Sequence, residues 1–297
     1  MLFVLMSVVW GLPYLLIKVA VRDLSPAMVV EGRTCIGAAV LLPLALRQGR
    51  LRPLVSAWRP LLAYTVAELA VPWYLLSSAE RRLPSSLSGL LIATVPLIAL
   101  VLSLAARQPG HHFDRRGIAG LLLGLAGVAA LLGLSVGRGD LGSVGEVGVV
   151  AVGYSIGPLV ASAYLGEQSS LALSAASLTL VALAYVPLAA WRHPVRVPPG
   201  TVVAAVVTLG LVCTALAFVA FFELIKEIGP TRATVITYLN PAVAVVLGVV
   251  WLGEPFKWGT GLGFVLILAG SWLSTAPRGR LLRQANYPAG AVGETPG

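Results

Sequence analysis

Charge is the scarcest commodity in this chain. Asp, Glu, Lys and Arg make up 11% of the 297 residues, against roughly a quarter in soluble domains. Apolar residues reach 58%, so the composition cannot cover a water-exposed surface and indicates a polytopic membrane protein. Cysteine is nearly absent: Cys35 and Cys213 each lie within an apolar run, far apart in the chain, which excludes a disulfide framework and a thiolate metal centre. The three histidines (His111, His112, His193) fall between apolar runs. No Walker loop, His-Glu-x-x-His helix or Gly-x-Ser-x-Gly elbow occurs, so neither enzyme activity, a metal nor a cofactor is expected.

What is abundant is apolar sequence in runs of about 20 residues, long enough to cross a hydrocarbon core as helices. Ten spans are expected: Leu2 to Val21, Pro26 to Leu46, Trp58 to Ser78, Ser85 to Ala106, Gly117 to Ser135, Val144 to Leu165, Leu171 to Trp191, Thr201 to Leu224, Ala233 to Leu252 and Trp258 to Thr275. The first carries Lys18 at its far end and no basic residue before it, so it is expected to be retained rather than cleaved as a signal. The tail, residues 276–297, is polar and Pro/Gly-rich and is expected to be disordered.

The net charge of +9 is not read as a nucleic-acid footprint, because the basic residues cluster in short loops beside apolar runs. Topogenesis and contact with anionic lipid account for them. With the N-terminus inside, twelve Lys and Arg fall on inner segments and seven on outer ones. Both termini are therefore expected in the cytoplasm of a multi-pass plasma (inner) membrane protein. Trp58, Trp191, Trp251 and Trp258 lie near span ends, as interfacial belts require.

Internal recurrence carries further. The segment from Trp10 to Lys18 has a counterpart about 144 residues on, Pro43-Leu44-Ala45 matches Pro187-Leu188-Ala189, and Gly120 and Gly127 match Gly263 and Gly270. Pro84 and Pro96 recur as Pro230 and Pro241. Matches in order at a near-constant offset predict two five-helix repeats, residues 1–136 and 144–275. Five is odd, so the second repeat must be inverted, the symmetry that secondary transporters use for alternating access.

These residues resemble the EamA-type transporters of the drug/metabolite transporter superfamily. The likeness rests on Trp10-Gly11 with Lys18, Arg22-Asp23-Leu24 and Pro26, Arg33, and the run Ile228-Gly229-Pro230 through Leu239-Asn240-Pro241 to Leu252-Gly253-Glu254 and Leu268-Ala269-Gly270. It implies a ten-helix carrier with a central pathway that exports or exchanges small metabolites, amino acids or drugs. Two departures stand out: Leu104-Ala105-Ala106-Arg107 replaces a Leu-Gly-Glu at the end of the fourth helix, and Thr34 rather than an aromatic follows Arg33.

Ions inside apolar runs supply the chemical signal. Lys18, Glu31, Arg33 and Glu68 lie within spans, where each costs roughly 2.5–3.5 kcal/mol at the bilayer centre on insertion scales unless paired or wet. The tight turn from Arg22 to Ser25 puts Lys18 and Glu31 at similar depth, so a Lys18–Glu31 pair is expected. Glu31 and Arg33 point about 200° apart on a helix, and Arg33 is assigned to the pathway; the alternative is that Lys18 and Arg33 snorkel to the interface. Glu68 is a candidate proton carrier, or else a neutral carboxyl bonded to a neighbouring helix. The expected pathway is Trp10, Tyr14, Lys18, Arg33, Glu68, Trp73, Tyr238 and Asn240, the last two offering hydrogen bonds to a ligand or gluing helices together. Helix kinks are expected at Pro13, Pro96, Pro158 and Pro241. Gly120 with Gly124 and Gly259 with Gly263 have small-xxx-small spacing; they predict close packing within the bundle, with a homodimer as the alternative. The partners expected are a small-molecule substrate, a proton and the lipid bilayer. An intramembrane hydrolase or lipid-modifying enzyme is the competing reading, against which the missing nucleophile and metal ligands count; a non-transporting scaffold is the third.

Overall fold

The computed structural model describes residues 2–105, 115–135, 137–191, 197–228 and 236–275. These residues form helices α1 (Leu2–Ala20), α2 (Pro26–Arg47), the short α3 (Arg52–Ser56), α4 (Trp58–Thr65), α5 (Val71–Ala79), α6 (Ser85–Ile92), α7 (Val95–Ala105), α8 (Arg115–Ser135), α9 (Leu141–Tyr164), α10 (Ser170–Trp191), α11 (Gly200–Gly210), α12 (Ala217–Ile228), α13 (Ile236–Leu252) and α14 (Trp258–Thr275). Eight helical segments are long and apolar enough to cross a membrane, and two shorter apolar helices cover Tyr238–Leu252 and Trp258–Leu273. The His111-His112 loop, the Gly229-Pro230 turn and the tail from Ala276 lie outside the described residues.

Local chemistry sets the helix ends. Ser25 caps α2 by accepting from the Met28 amide at 3.4 Å, with Pro26 in the first turn, where its missing N–H costs nothing. α13 ends at Gly253, whose φ of 65° a residue with a Cβ adopts poorly. The Glu254 amide then returns to the Gly248 carbonyl, six residues back, at 3.0 Å, so that one of the bare carbonyls at the helix end is met. The Leu-Gly-Glu motif thus has a geometric meaning: glycine stops the helix and turns the glutamate away from it.

Among the described residues two π-helical stretches interrupt the helices. Residues Val66–Ala70 join α4 to α5, and Leu211–Leu216 join α11 to α12. Such stretches leave backbone groups out of the regular ladder and occur often at functional sites. In the first, Pro72 stands two residues past its end and lacks an amide for the preceding turn, and the Tyr185 hydroxyl donates to the Ala70 carbonyl at 2.8 Å. In the second, the Thr214 hydroxyl donates to the Leu209 carbonyl at 2.8 Å.

Of the four expected kinks, Pro13, Pro158 and Pro241 lie inside continuous helices. Pro96 does not: the helix breaks at Ala93-Thr94 and Pro96 stands in the first turn of α7. The Ala93 carbonyl at the break is met by the Ser271 hydroxyl at 3.2 Å, as apolar surroundings demand. The Ser155 hydroxyl, bonded at 2.7 Å to the Ala151 carbonyl of its own helix, also lies 3.1 Å from the Val95 carbonyl at the start of α7.

Helix pairing is reciprocal. α8 packs on α14, α2 on α10, α5 on α9, α11 on α1, α6 and α7 on α9, and α13 on α1. Glycine lets α8 and α14 touch backbone to backbone. A Cβ on Gly270 would collide with the Gly124 amide and the Gly120 carbonyl, and one on Gly127 would sit 2.9 Å from the Gly263 carbonyl. The expected small-residue packing is therefore internal to the bundle. Trp58, Trp191, Trp251 and Trp258 all lie exposed on its outside.

Candidate functional site

Arg33 projects from α2 into the space between α5 and the second π-helical stretch. It is buried, its guanidinium carbon stands 3.6 Å from the centroid of the Trp73 ring, and its Nε donates to the Thr214 hydroxyl at 2.8 Å. A guanidinium over an aromatic face is a cation–π contact that strengthens when water is excluded. With the stacked plane and one hydrogen bond fixed, Arg33 does not snorkel to an interface.

Trp73 is buried, and Tyr154 of α9 packs against the apolar cluster to which it belongs. Tyr154 packs against both of the two largest apolar clusters, so it stands at the joint between them. One turn further along α9, Gly157 faces the Glu68 carboxylate so closely that a Cβ there would overlap Oε2. Glu68 occupies the middle of the first π-helical stretch, and its Oε2 is buried without a hydrogen-bond partner. Tyr14 is buried on α1 and lies 3.7 Å from the position a Gly89 Cβ would take on α6.

The remaining pathway candidates separate from this group. Trp10 packs on Phe221 at 4.5 Å and edge-on to Phe218 at 6.3 Å, both on α12. The Asn240 amide nitrogen, in the orientation its surroundings favour, donates to the carbonyls of Ser7 at 3.2 Å and Ile236 at 3.0 Å. It ties α13 to α1. Tyr238, two residues earlier, is half-buried.

Lys18 does not pair with Glu31. Its ammonium donates to the carbonyls of Glu80 at 2.6 Å and Leu83 at 2.8 Å, because the end of α5 offers bare carbonyls at that depth. Glu31 instead accepts from the Cys35 thiol at 3.1 Å. Near the same end, the Glu254 carboxylate caps α6, accepting from the amides of Ser85 at 2.6 Å and Ser86 at 2.9 Å. Sequence reading missed Thr214, Tyr154 and Glu80. The first two are ordinary residues in apolar runs, and Glu80 reads as a loop residue beside Arg81 and Arg82.

Comparison with known proteins bears directly on this arrangement. The EamA-like transporter family matches residues 1–133 and again 147–276. The chain is 28% identical over 274 residues to the uncharacterized inner membrane transporter YedA of Escherichia coli K12, covering 90% of this chain and 83% of that protein. It is 28% identical over 263 residues to a probable terminal-alkyne amino-acid exporter of Streptantibioticus cattleyicolor, covering 84% of each. A crystal structure at 22% identity shares the fold with a TM-score of 0.66, over 96% of this chain and 98% of the other. With two family matches spanning nearly all of its described helices, the chain belongs to the EamA-like transporter family and is a multi-pass membrane transporter.

Proposed function

We propose that the protein is a secondary transporter that exports or exchanges a small organic solute by alternating access, built from two inverted repeats of five spanning helices. The observation that carries this reading is a set of swapped contacts. Gly120 and Gly127 correspond to Gly263 and Gly270 at an offset of 143, yet Gly120 meets Gly270 and Gly127 meets Gly263, the reciprocal pattern of a two-fold axis. Trp10 against Phe218 likewise mirrors Tyr154 against the cluster that holds Trp73, at offsets of 144 and 145. The two π-helical stretches begin 145 residues apart. Related halves of this kind place the substrate near mid-membrane at their interface.

The pathway in this reading runs past Tyr14, Arg33, Glu68, Trp73 and Tyr154, with Trp10, Tyr238 and Asn240 supporting it. Arg33 favours a solute bearing a carboxylate or phosphate, and an amino-acid-like zwitterion suits both Arg33 and Glu68. The named exporter among the relatives is consistent with that class. Both termini lie in the cytoplasm, and the chemistry requires no cofactor. Counterflow of radiolabelled amino acids in proteoliposomes tests the proposal: saturable exchange without product formation is expected, and absence of both flux and ligand-induced thermal stabilisation would overturn it.

A further inference from the structure

The end of the bundle where α5 stops and α6 begins holds a polar cluster away from the Arg33 group. Glu80 is fully buried, and among the described residues neither of its carboxylate oxygens has a hydrogen-bond partner. The Ser85 and Ser88 hydroxyls on the adjoining α6 are buried and unpartnered as well. Lys18, the nearby cation, spends two of its N–H groups on the Glu80 and Leu83 carbonyls. Glu254, the nearby anion, is held at the start of α6. The charged and titratable groups facing Glu80 are Lys18, Tyr14, Glu254 and Tyr154, with Arg22 beside Lys18.

Charge counting decides what Glu80 does. Arg22 is exposed and Lys18 and Glu254 balance one another, so an ionised Glu80 would leave a net negative charge at a buried carboxylate that accepts no hydrogen bond among the described residues, a costly arrangement. A neutral carboxyl costs far less. Burial accordingly holds Glu80 well above the ordinary carboxylate range, with Lys18 opposing and Glu254 adding to the effect. A group raised in this way contributes stability that is complete below its unfolded value of about 4.3 and is lost as pH rises through the folded value.

We infer that Glu80 binds a proton and that this proton closes a latch formed by Lys18, Glu254 and the start of α6. Protonation adds one proton from water to a carboxylate oxygen. Neutral Glu80 leaves Lys18 on the two carbonyls and Glu254 on the α6 amides, which pins α1, α5, α6 and α13 together. Ionised Glu80 draws the Lys18 ammonium off the carbonyls and repels Glu254, which frees the junction. The latch is one-sided, since the first half carries Ala105-Ala106 where the second has Gly253-Glu254. In the orientation proposed above this end faces outward, so an entering proton closes the outer side behind a departing solute. That directional role rests on the transport reading; the proton site does not.

Two substrate-free measurements test it. Infrared difference spectra of the purified protein between acidic and alkaline buffer should contain a protonated-carboxyl C=O band that Glu80→Gln removes, Glu80→Asp keeps and Glu68→Gln leaves in place. In a background lacking Cys35 and Cys213, alkylation of Ser88→Cys, normalised to exposed Gly139→Cys, should rise about tenfold or more with pH, a change of about 1.4 kcal/mol. Adding Glu80→Gln should hold it low throughout. A spectrum unaffected by Glu80→Gln, or Ser88→Cys alkylation with no pH dependence, overturns the inference. Intact band and latch with no solute flux would instead count against transport alone.

Discussion

Arg33 and Trp73, forty residues apart on different helices, are stacked with the guanidinium carbon 3.6 Å from the indole centroid. The contact fixes a positive charge in the bundle interior, and among the described residues its Nε donates to the Thr214 hydroxyl. Arg33→Gln should therefore weaken binding of a carboxylate-bearing solute by about 1.5–3 kcal/mol, the range for hydrogen bonds to charged groups. Arg33→Lys should not restore it, because an ammonium lacks the planar stack. Titration calorimetry on purified variants checks both outcomes, and unchanged affinity in a folded Arg33→Gln protein would assign the residue a structural role.

Glu68 sits in a π-helical stretch with one carboxylate oxygen buried and unpartnered. Glu68→Gln should abolish flux driven by a proton gradient while leaving counterflow exchange, since exchange moves no net proton. Retention of gradient dependence in proteoliposomes would remove Glu68 from coupling.

Gly157 leaves no room for a Cβ beside Glu68. Gly157→Ala should destabilise the protein by about 1–3 kcal/mol, the usual cost of overpacking. Adding Glu68→Ala should recover much of that loss, because residues in contact are not additive. Thermal unfolding of the two single variants and the double variant in detergent provides the test; strict additivity would show that the glycine is needed for another reason.

The Glu254 carboxylate accepts from two amides at the start of α6. Glu254→Ala should lower stability by about 1 kcal/mol or more through the lost charged cap, whereas Glu254→Asp should fall short of full recovery because its reach is shorter. Melting temperatures of the three proteins decide the matter.

Gly49, Gly139 and Gly200 are exposed at connections between helices. Single cysteines there should label from the cytoplasm at Gly49 and from outside at Gly139 and Gly200. Labelling of all three from one face would dismantle the inverted arrangement.

Membrane class, helix locations and the ends of α2 and α13 were legible in the chain, because hydropathy, Ser25-Pro26 and Gly253 act over a turn or two. That Arg33 and Glu68 would turn toward the bundle interior was legible as well, since an ion in an apolar run is costly on the lipid side wherever the run folds. The partners were not. Lys18 and Glu31 lie close in sequence and depth, and local reasoning joins them. The fold instead brings the bare carbonyls of Glu80 and Leu83, more than sixty residues away, within 2.8 Å of the ammonium.

Pro96 shows the same boundary. Sequence identifies a residue that lacks an amide, but at the break the Ala93 carbonyl is met by Ser271, which arrives from another helix. The amino-acid sequence by itself determined that the chain must be a bundle of apolar helices with a few costly ions inside, because transfer free energy and helix stop signals are properties of single segments. Tertiary structure alone decided which polar groups meet. In an apolar medium each must find a donor or acceptor on a neighbouring helix, and which neighbour arrives is fixed by packing across the bundle.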